Sequence, residues 1–269
     1  MINMNEVVGN MNILFITLDS LRLDVAMDSF AKGNLPNLSG EAIHGWVPSH
    51  SPGSFTFASH QAFFAGFLPT PAYPGKHERL FAAKFNGSET TSENTFVCEA
   101  PTIVEGLADA GYETICIGGV GFFNKRTALG NILPGLFNQS YWEENFSVTN
   151  PSSTEYQFKF AANLLEKIKA DKNVFLFINV SAIHQPNNCY ILNAKEDSCL
   201  THAASLHYVD AQFPILFNAI KKRKDTFCII CSDHGTAYGE NNYYGHRIGH
   251  EAVWNVPFTT FILKKNESE

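Results

Sequence analysis

Residues 12–19 have the sequence NILFITLD, an apolar run that ends in an aspartate. Apolar runs without polar alternation are typical of strands that are buried on both faces of a parallel sheet. Similar runs occur at Val174–Val180 and Phe227–Cys231, and Glu113–Gly118 is predicted to form a fourth strand. The sequence therefore predicts a parallel sheet that has residues 12–18 as one of its buried strands.

Helices are predicted between these strands, at Phe57–Phe64, Thr102–Ala110, Glu155–Ala170 and Ala203–Lys222. Gly111 is a suitable terminator for the second of them. Strands that alternate with helices imply a parallel sheet with helices on both faces. The predicted fold is an α/β fold, a three-layer α/β/α sandwich with a mainly parallel central sheet.

Length and composition indicate one globular domain. The 269 residues are 45% hydrophobic and 17% charged, which suits a single domain over residues 1–269. Residues 70–95 lack periodicity and are predicted to form a surface excursion, and residues 131–150 a second loop. The formal net charge of −7 argues against a surface that coats nucleic acid, because Lys and Arg clusters hold phosphate backbones.

The N-terminal segment predicts the cellular location. Residues 1–10 are polar, and the apolar run Ile13–Leu18 is too short for a signal-peptide core or a membrane span. We therefore expect a cytoplasmic protein without membrane contact, and we leave a homo-oligomer open.

Polar side chains follow three of the predicted strands. Asp19 follows residues 12–18, His184 comes after Val174–Val180, and Asp233 and His234 come after Phe227–Cys231. Ligands of open parallel sheets gather beyond the carboxyl ends of the strands. These side chains are therefore predicted to converge on one site.

Asp233, His234 and Asp19 are candidate metal ligands. An Asp–His pair at a strand end suits a divalent transition metal such as Zn or Mn, and Gly235 permits a tight turn after it. A carboxylate at Asp19, after so apolar a strand, is costly unless it is paired or metal-bound. The alternative for Asp19 and Asp233 is a helix cap or a turn residue, and His234 would then be an incidental neighbour.

Thr56 precedes the predicted helix 57–64. A hydroxyl at a helix N-terminus faces unpaired backbone amides and the positive end of the helix dipole, which favours an alkoxide and an anionic substrate group. Beside a metal ion it would be a nucleophile whose ionisation the metal assists. The alternative is an ordinary Thr N-cap.

Several histidines are candidates for contact with the substrate. His184 could donate to a transferring phosphoryl oxygen or to the leaving group. His246 and His250 are four residues apart, which places both on one face if the segment is helical, although Gly249 weakens that interpretation. A turn or surface position is the alternative for each.

Five segments occur in the order that is typical of a known family. They are Asn12–Arg22, Ala58–Pro69, Thr102–Gly118, Ser232–Gly235 and Gly245–Pro257. Together they resemble the alkaline-phosphatase superfamily, especially its sulfatase-like branch, over most of the chain. The first segment is similar to that family's opening metal-ligand strand, and the fourth to its late metal motif.

The resemblance implies a role for each matching residue. It implies a metal shell of Asp19, Thr56, Asp233 and His234, with Thr56 as the nucleophile. A threonine at this position argues against a sulfatase that depends on formylglycine, since that residue is made from Cys or Ser. An Asp–His motif in place of Asp–Asn favours a transition metal over calcium.

Departures from the family pattern qualify these expectations. His60 replaces an arginine, and His246 matches a substrate-contacting lysine. We therefore expect His60 and His250 to bind substrate, and His184 and His246 to act in catalysis. Asn124 is also expected to bind substrate, because Phe122, Phe123, Asn124 and residues 70–95 are predicted to shape specificity. Val180 replaces an aspartate of two-metal phosphatases, so we expect one tightly held ion, with a weak second ion left open. The family's usual C-terminal subdomain is missing from the chain, which predicts a more open site or one completed by a partner subunit.

The function that these features predict is metal-dependent hydrolysis of a phosphate ester or phosphodiester through a phospho-threonine intermediate. The substrate would be a small phosphorylated molecule. Three alternatives stay open: a phosphoryl-group transferase or phosphomutase, a hydrolase of sulfate esters without formylglycine, and a catalytically silent metal- or ligand-binding protein on the same scaffold.

Overall fold

The computed structural model describes residues 2–66, 81–82, 96–97 and 102–266. The predicted surface excursion at residues 70–95 lies outside the described residues, apart from the backbone of residues 81–82.

A seven-stranded sheet forms the centre of the described structure, with the strand order β2-β11-β8-β1-β7-β5-β6. Two further pairs of short strands, β3 with β4 and β9 with β10, lie outside it. The strands are β1 (Asn12–Leu18), β2 (Val47–His50), β3 (Phe81–Ala82), β4 (Phe96–Val97), β5 (Glu113–Ile117), β6 (Gln139–Tyr141), β7 (Val174–Val180), β8 (Thr226–Cys231), β9 (Ala237–Tyr238), β10 (Tyr244–Gly245) and β11 (Asn255–Leu263).

The sheet is mainly parallel, as predicted. β1 pairs in parallel with β7 and with β8, β7 with β5, and β5 with β6. β11 is antiparallel to both of its neighbours, β8 and β2. The four strands predicted from apolar runs are all present, and β1 and β7 have the predicted bounds.

Helices cover both faces of the sheet. Those of the described residues are α1 (Met4–Val7), α2 (Leu23–Ala31), α3 (Pro36–Glu41), α4 (Thr56–Ala65), α5 (Ile103–Asp109), α6 (Ala128–Ile132), α7 (Ser153–Lys167), α8 (Cys199–Lys221) and α9 (Glu251–Trp254). Side chains of β1 alternate between two separate cores. Leu14 and Ile16 pack with Phe213 of α8, whereas Ile13 packs with Phe64 of α4. The predicted three-layer sandwich is therefore confirmed.

Local chemistry explains where two helix bounds differ from the prediction. α8 begins at Cys199 and not at Ala203, because the Ser198 hydroxyl accepts from Thr201 N and the Thr201 hydroxyl accepts from Ser198 N. α7 ends at Lys167 and not at residue 170. There the Arg223 guanidinium donates to four backbone carbonyls between residues 165 and 172.

Three strands of the central sheet were not predicted as the structure has them. β6 lies within the predicted loop 131–150, and its three residues are all half-buried, which leaves no apolar signal. β2 is a short edge strand whose side chains are largely exposed. β11 starts at Asn255, two residues before Pro257, which pairs with Pro48 of the edge strand β2.

In the part of the chain that the structure describes, no helix has the length and apolar character needed to cross a membrane.

Candidate active site

Asp19, Asp233 and His234 meet at the carboxyl edge of the sheet. Asp19 follows β1, and Asp233 and His234 follow β8, its parallel neighbour. All three side chains are fully buried, and each offers a ligand atom within 4.8 Å of the others. Ser20 leaves β1 with a positive φ of 66°, and its amide donates to Asp233 Oδ1 at 3.1 Å.

The donor set of this cluster fits a divalent metal ion. Asp233 Oδ1 accepts from the amides of Ser20 and His234, but Asp233 Oδ2 is buried without a hydrogen-bond partner in the described residues. His234 Nδ1 donates to the Gly235 carbonyl at 2.8 Å, which leaves the Nε2 lone pair for the cluster. Two carboxylates and one imidazole form a set that zinc and similar ions accept.

The charges of the cluster also favour a cation. Burial raises the pKa of Asp233 well above its usual value, and the charge of Asp19 raises it further. Burial acts in the same direction on Asp19, but the opposite charges of His184 and His234 and the hydrogen bond from Asn179 lower its pKa. Two adjacent buried carboxyls do not both ionise easily, and a bound cation would offset their repulsion.

Thr56 lies against this cluster. Its Oγ1 donates to Asp19 Oδ2 at 3.3 Å and is 3.3 Å from His234 Nε2. Thr56 is the first residue of α4, and the N-cap is Phe55, whose side chain makes no capping bond. The N-cap alternative for Thr56 is therefore wrong, and its hydroxyl faces the candidate metal ligands.

Asn179 is a site residue that the sequence analysis missed. Its Nδ2 donates to Asp19 Oδ2 at 3.0 Å, and its Oδ1 accepts from Val120 N at 3.0 Å. It is the single polar residue of β7, beside Thr17 in the parallel register with β1. An asparagine within an otherwise apolar strand was the signal that could have identified it.

His60 does not reach the space beside Thr56. It is fully buried, and its Nδ1 donates to the Thr56 carbonyl at 2.7 Å while Nε2 is 2.9 Å from Thr17 Oγ1. Its ring packs against phenylalanine rings, with centroid distances of 5.1 Å to Phe123 and 5.6 Å to Phe177. Burial lowers the pKa of His60 to about 4. The predicted substrate contact of His60 is therefore wrong. Its side chain instead binds the backbone carbonyl of Thr56 from the interior of the protein.

His184 and His246 lie on the open side of the cluster. The ring centroids of His246 and His234 are 4.6 Å apart, and those of His184 and His246 are 5.6 Å apart. His184 Nδ1 donates to the Gln185 carbonyl at 2.5 Å, which leaves Nε2 for other partners. Burial and the neighbouring charges of His234 and His184 lower the pKa of His246 to about 4. The structure thus brings both predicted catalytic histidines to Thr56.

His250 and Asn124 do not lie beside Thr56 and the histidines of the site. His250 is the N-cap of α9, where its Nδ1 accepts from Ala252 N at 3.1 Å, and it lines a different pocket beside Arg22. Asn124 Oδ1 accepts from Arg126 N at 3.0 Å and holds a turn. Neither residue lines the cleft at Thr56, so both predicted substrate contacts are corrected.

A cleft of about 270 Å³ opens beside Thr56. It includes Arg247, a cation that the sequence analysis did not select, although it adjoins His246. The Arg247 guanidinium lies 5.3 Å from the centre of the Phe55 ring. The described residues that line the cleft are Thr56, Val120, Gly121, Phe122, Thr127, Leu129, Gly130, Val148, His184, His246 and Arg247.

The fold and the site together define the class of protein. A mainly parallel α/β sandwich with a hydroxyl beside an Asp–Asp–His cluster at the sheet edge is an alkaline-phosphatase-like arrangement. The sequence model of the sulfatase family matches residues 11–260, and the chain belongs to that family. This membership supports an enzyme that acts on phosphate or sulfate esters.

Solved structures show the same fold at low identity. Lipoteichoic acid synthase LtaP of Listeria monocytogenes is 14% identical with a TM-score of 0.60, and the match covers 94% of this chain and 65% of LtaP. The soluble domain of lipooligosaccharide phosphoethanolamine transferase A of Neisseria meningitidis is 16% identical with a TM-score of 0.61, over 96% and 79% of the chains.

A third similar structure is the C-terminal periplasmic domain of EcEptC of Escherichia coli in complex with Zn. It is 12% identical with a TM-score of 0.60, over 95% of this chain and 74% of that one. The comparison with curated proteins gave no match. Since one of these structures is a periplasmic domain, the neighbours lend no support to the predicted cytoplasmic location, which stays a prediction.

Proposed function

We propose that this protein is a metal-dependent hydrolase of phosphate esters or phosphodiesters that works through a phospho-Thr56 intermediate. The observation that carries the proposal is the position of Thr56 Oγ1, 3.3 Å from both Asp19 Oδ2 and His234 Nε2, beside the unpartnered Asp233 Oδ2. A buried hydroxyl held among metal-ligand side chains suits a nucleophile better than a packing residue.

Asp19, Asp233 and His234 would hold the ion, and the Thr56 hydroxyl would complete a four-ligand set. Zn or Mn fits these ligands, and one ion is proposed. When bound, a divalent ion would favour ionisation of the Thr56 hydroxyl and neutralise charge on a phosphoryl oxygen.

The residues of the chain perform the remaining steps. Thr56 Oγ attacks phosphorus, its proton passes to Asp19 Oδ2, and the bond from phosphorus to the leaving oxygen breaks. His184 or His246 donates a proton to the leaving oxygen, while the other donates a hydrogen bond to a phosphoryl oxygen. A bound phosphate anion raises the pKa of a neighbouring histidine, which enables His246 to carry that proton. Water then attacks the phosphorus of phospho-Thr56 and gives a proton to the histidine that lost one. The bond from phosphorus to Thr56 Oγ breaks, Oγ recovers its proton from Asp19, and phosphate, or a phosphate monoester from a diester, leaves.

The test compares Thr56→Ser with Thr56→Val. Serine keeps the hydroxyl, and valine keeps the shape of threonine without it. With chromogenic phosphate mono- and diesters and added Zn or Mn, we expect Thr56→Val to lose about 10³-fold or more in kcat, as other nucleophile removals do. Thr56→Ser should retain activity, and mass spectrometry of an acid-quenched reaction should find phosphate on residue 56. Equal activity of Thr56→Val and the unchanged protein would exclude the proposed nucleophile.

A transferase is the second candidate, because two of the similar structures are named as a phosphoethanolamine transferase and a lipoteichoic acid synthase. In that case an acceptor alcohol, and not water, would attack phospho-Thr56. Product analysis with an added alcohol separates the two reactions. A hydrolase releases inorganic phosphate from a monoester or a phosphate monoester from a diester, whereas a transferase makes a new ester with the alcohol. Sulfate esters in the same assay test the sulfate-ester hydrolase, and a protein that binds the metal but is silent on every ester would fit the binding scaffold.

A further inference from the structure

One wall of the cleft beside Thr56 is apolar. Residues 120–130 contribute Val120, Phe122 and Leu129 to it, and Val148 adds a fourth apolar side chain. Phe122 is held in place by aromatic neighbours, with ring centroids 5.5 Å from Phe57 and 6.3 Å from Phe55.

The polar groups of the cleft come from other parts of the chain. His184, His246 and Arg247 lie on the loops that follow β7 and β10, and Thr56 begins α4. Within the described lining, Thr127 is the single polar side chain from residues 120–130. The cleft therefore combines a site for an anionic group with a wall that offers little hydrogen bonding.

We propose that this wall binds the organic part of the substrate, and that this part is a compact apolar group such as an aromatic ring or a short alkyl chain. The proposal rests on the proposed function, since it assigns the rest of the ester whose phosphoryl group reaches Thr56. Apolar surface that leaves water on binding is stabilising. Sugar hydroxyls placed against the same wall would lose hydrogen bonds to water without replacement.

The volume of the cleft is compatible with a group of this size. A cavity of roughly 150 Å³ holds a benzene molecule, and pockets for drug-sized ligands begin at about 300 Å³. At about 270 Å³, the cleft has room for a phosphoryl group and one ring-sized substituent.

The experiment compares two phosphonates that share their charged head. Phenylphosphonate and methylphosphonate are titrated into the Zn-loaded protein by calorimetry, and neither requires turnover. We expect the phenyl compound to bind about 10-fold more tightly, the gain that an additional buried apolar group commonly provides. Glucose 6-phosphate should bind no more tightly than methylphosphonate.

Two variants test whether the wall causes this preference. Leu129→Asn keeps the side-chain size and removes apolar surface, and Phe122→Ala removes the ring. Each should reduce the preference to within about 3-fold while methylphosphonate binding is retained. The matched control is Leu136→Asn, a half-buried leucine outside the cleft lining, which should keep the full preference.

Three results would overturn the proposal: equal affinity for the two phosphonates, a preference that survives both wall variants, or tighter binding of glucose 6-phosphate. Binding and turnover separate this inference from the proposed function. If the unchanged protein prefers the phenyl compound but turns over no ester, the apolar subsite stands and the proposed hydrolysis fails. Thr56→Val should keep the preference for the ring, because the wall and not the hydroxyl causes it.

Discussion

The two sides of the site are built differently. The metal-ligand side lies on the ends of central strands: Asp19, Asp233 and Asn179 are fully buried and held by hydrogen bonds to each other or to backbone amides. The histidines and the arginine of the cleft lie on loops, where His246 is half-buried and Arg247 is exposed. Rigid strand ends suit the placement of ligand atoms, whereas loops can vary with the substrate.

This comparison leads to different expectations for substitutions on the two sides. On the strand-end side, a change should alter metal affinity and the stability of the metal-free protein. On the loop side, it should alter catalysis or substrate binding and leave metal affinity unchanged.

The largest effect is expected for Asp233→Asn. Asparagine can still accept from the amides of Ser20 and His234, but it lacks the carboxylate charge. Metal affinity, measured by competition with a chromogenic chelator, should fall by more than about 100-fold, beyond the usual effect of an outer-shell change. Asp225→Asn, which removes a carboxylate remote from the metal ligands, is the control and should bind metal normally. Unchanged affinity in Asp233→Asn would remove Asp233 from the metal site.

His246→Gln tests most directly whether a change on the cleft side lowers kcat without changing metal affinity. Its ring adjoins His234 in the cleft but is not part of the Asp–Asp–His cluster. If His246 moves a proton, kcat should fall by about 100-fold, the lower range for a general acid, while metal affinity stays within a few-fold. A loss of metal affinity as large as the loss of kcat would place His246 among the ligands.

A smaller effect is expected for His60, and a pair of variants divides its two contacts. In His60→Asn, the side-chain amide can lie near the position of Nδ1 and keep the hydrogen bond to the Thr56 carbonyl. In His60→Gln, the amide can lie near the position of Nε2 and keep the contact with Thr17. His60→Gln should lower kcat by about 10-fold, the lower range for residues that orient site groups, and His60→Asn by less. The affinity for inorganic phosphate should not change, because His60 does not line the cleft. An equal loss in both variants, explained entirely by a lower melting temperature, would make His60 a packing residue only.

The smallest effect concerns pH and the metal-free protein. The pKa of Asp233 is raised in the folded state, so its contribution to stability is present at low pH and is lost as pH rises through the folded pKa. Asp233→Asn should therefore be more stable than the unchanged protein at pH 8 without metal, and this difference should shrink toward pH 4. The difference in the free energy of unfolding between the two proteins can change by at most about 1.4 kcal/mol per pH unit, because one proton is involved. Urea unfolding in a chelator measures it, and a difference independent of pH would contradict the assigned shift.

The sequence predicted the strand-end side well, for a physical reason. Apolar runs specify buried parallel strands, and such strands place the residues that follow them at one edge. Asp19, Asp233 and His234 could therefore be expected to meet, and they do.

The loop side was less predictable, because loop residues have no periodic signal. Asn124 and His250 resemble site residues in sequence, yet each satisfies a local backbone amide. His60 lies one helical turn from Thr56, and only the packing of the phenylalanine rings shows that it is behind the nucleophile. Arg247 has a positive φ of 68°, a conformation that sequence spacing does not indicate.

The neighbouring positions of β1 and β8 have one further consequence. Ser20 and Asp233 are hydrogen-bonded although 213 residues separate them. An ion shared by Asp19, Asp233 and His234 would therefore join the beginning of the chain to a segment near its end and close a very long loop. Bound metal would act as a reversible cross-link between the ends of β1 and β8.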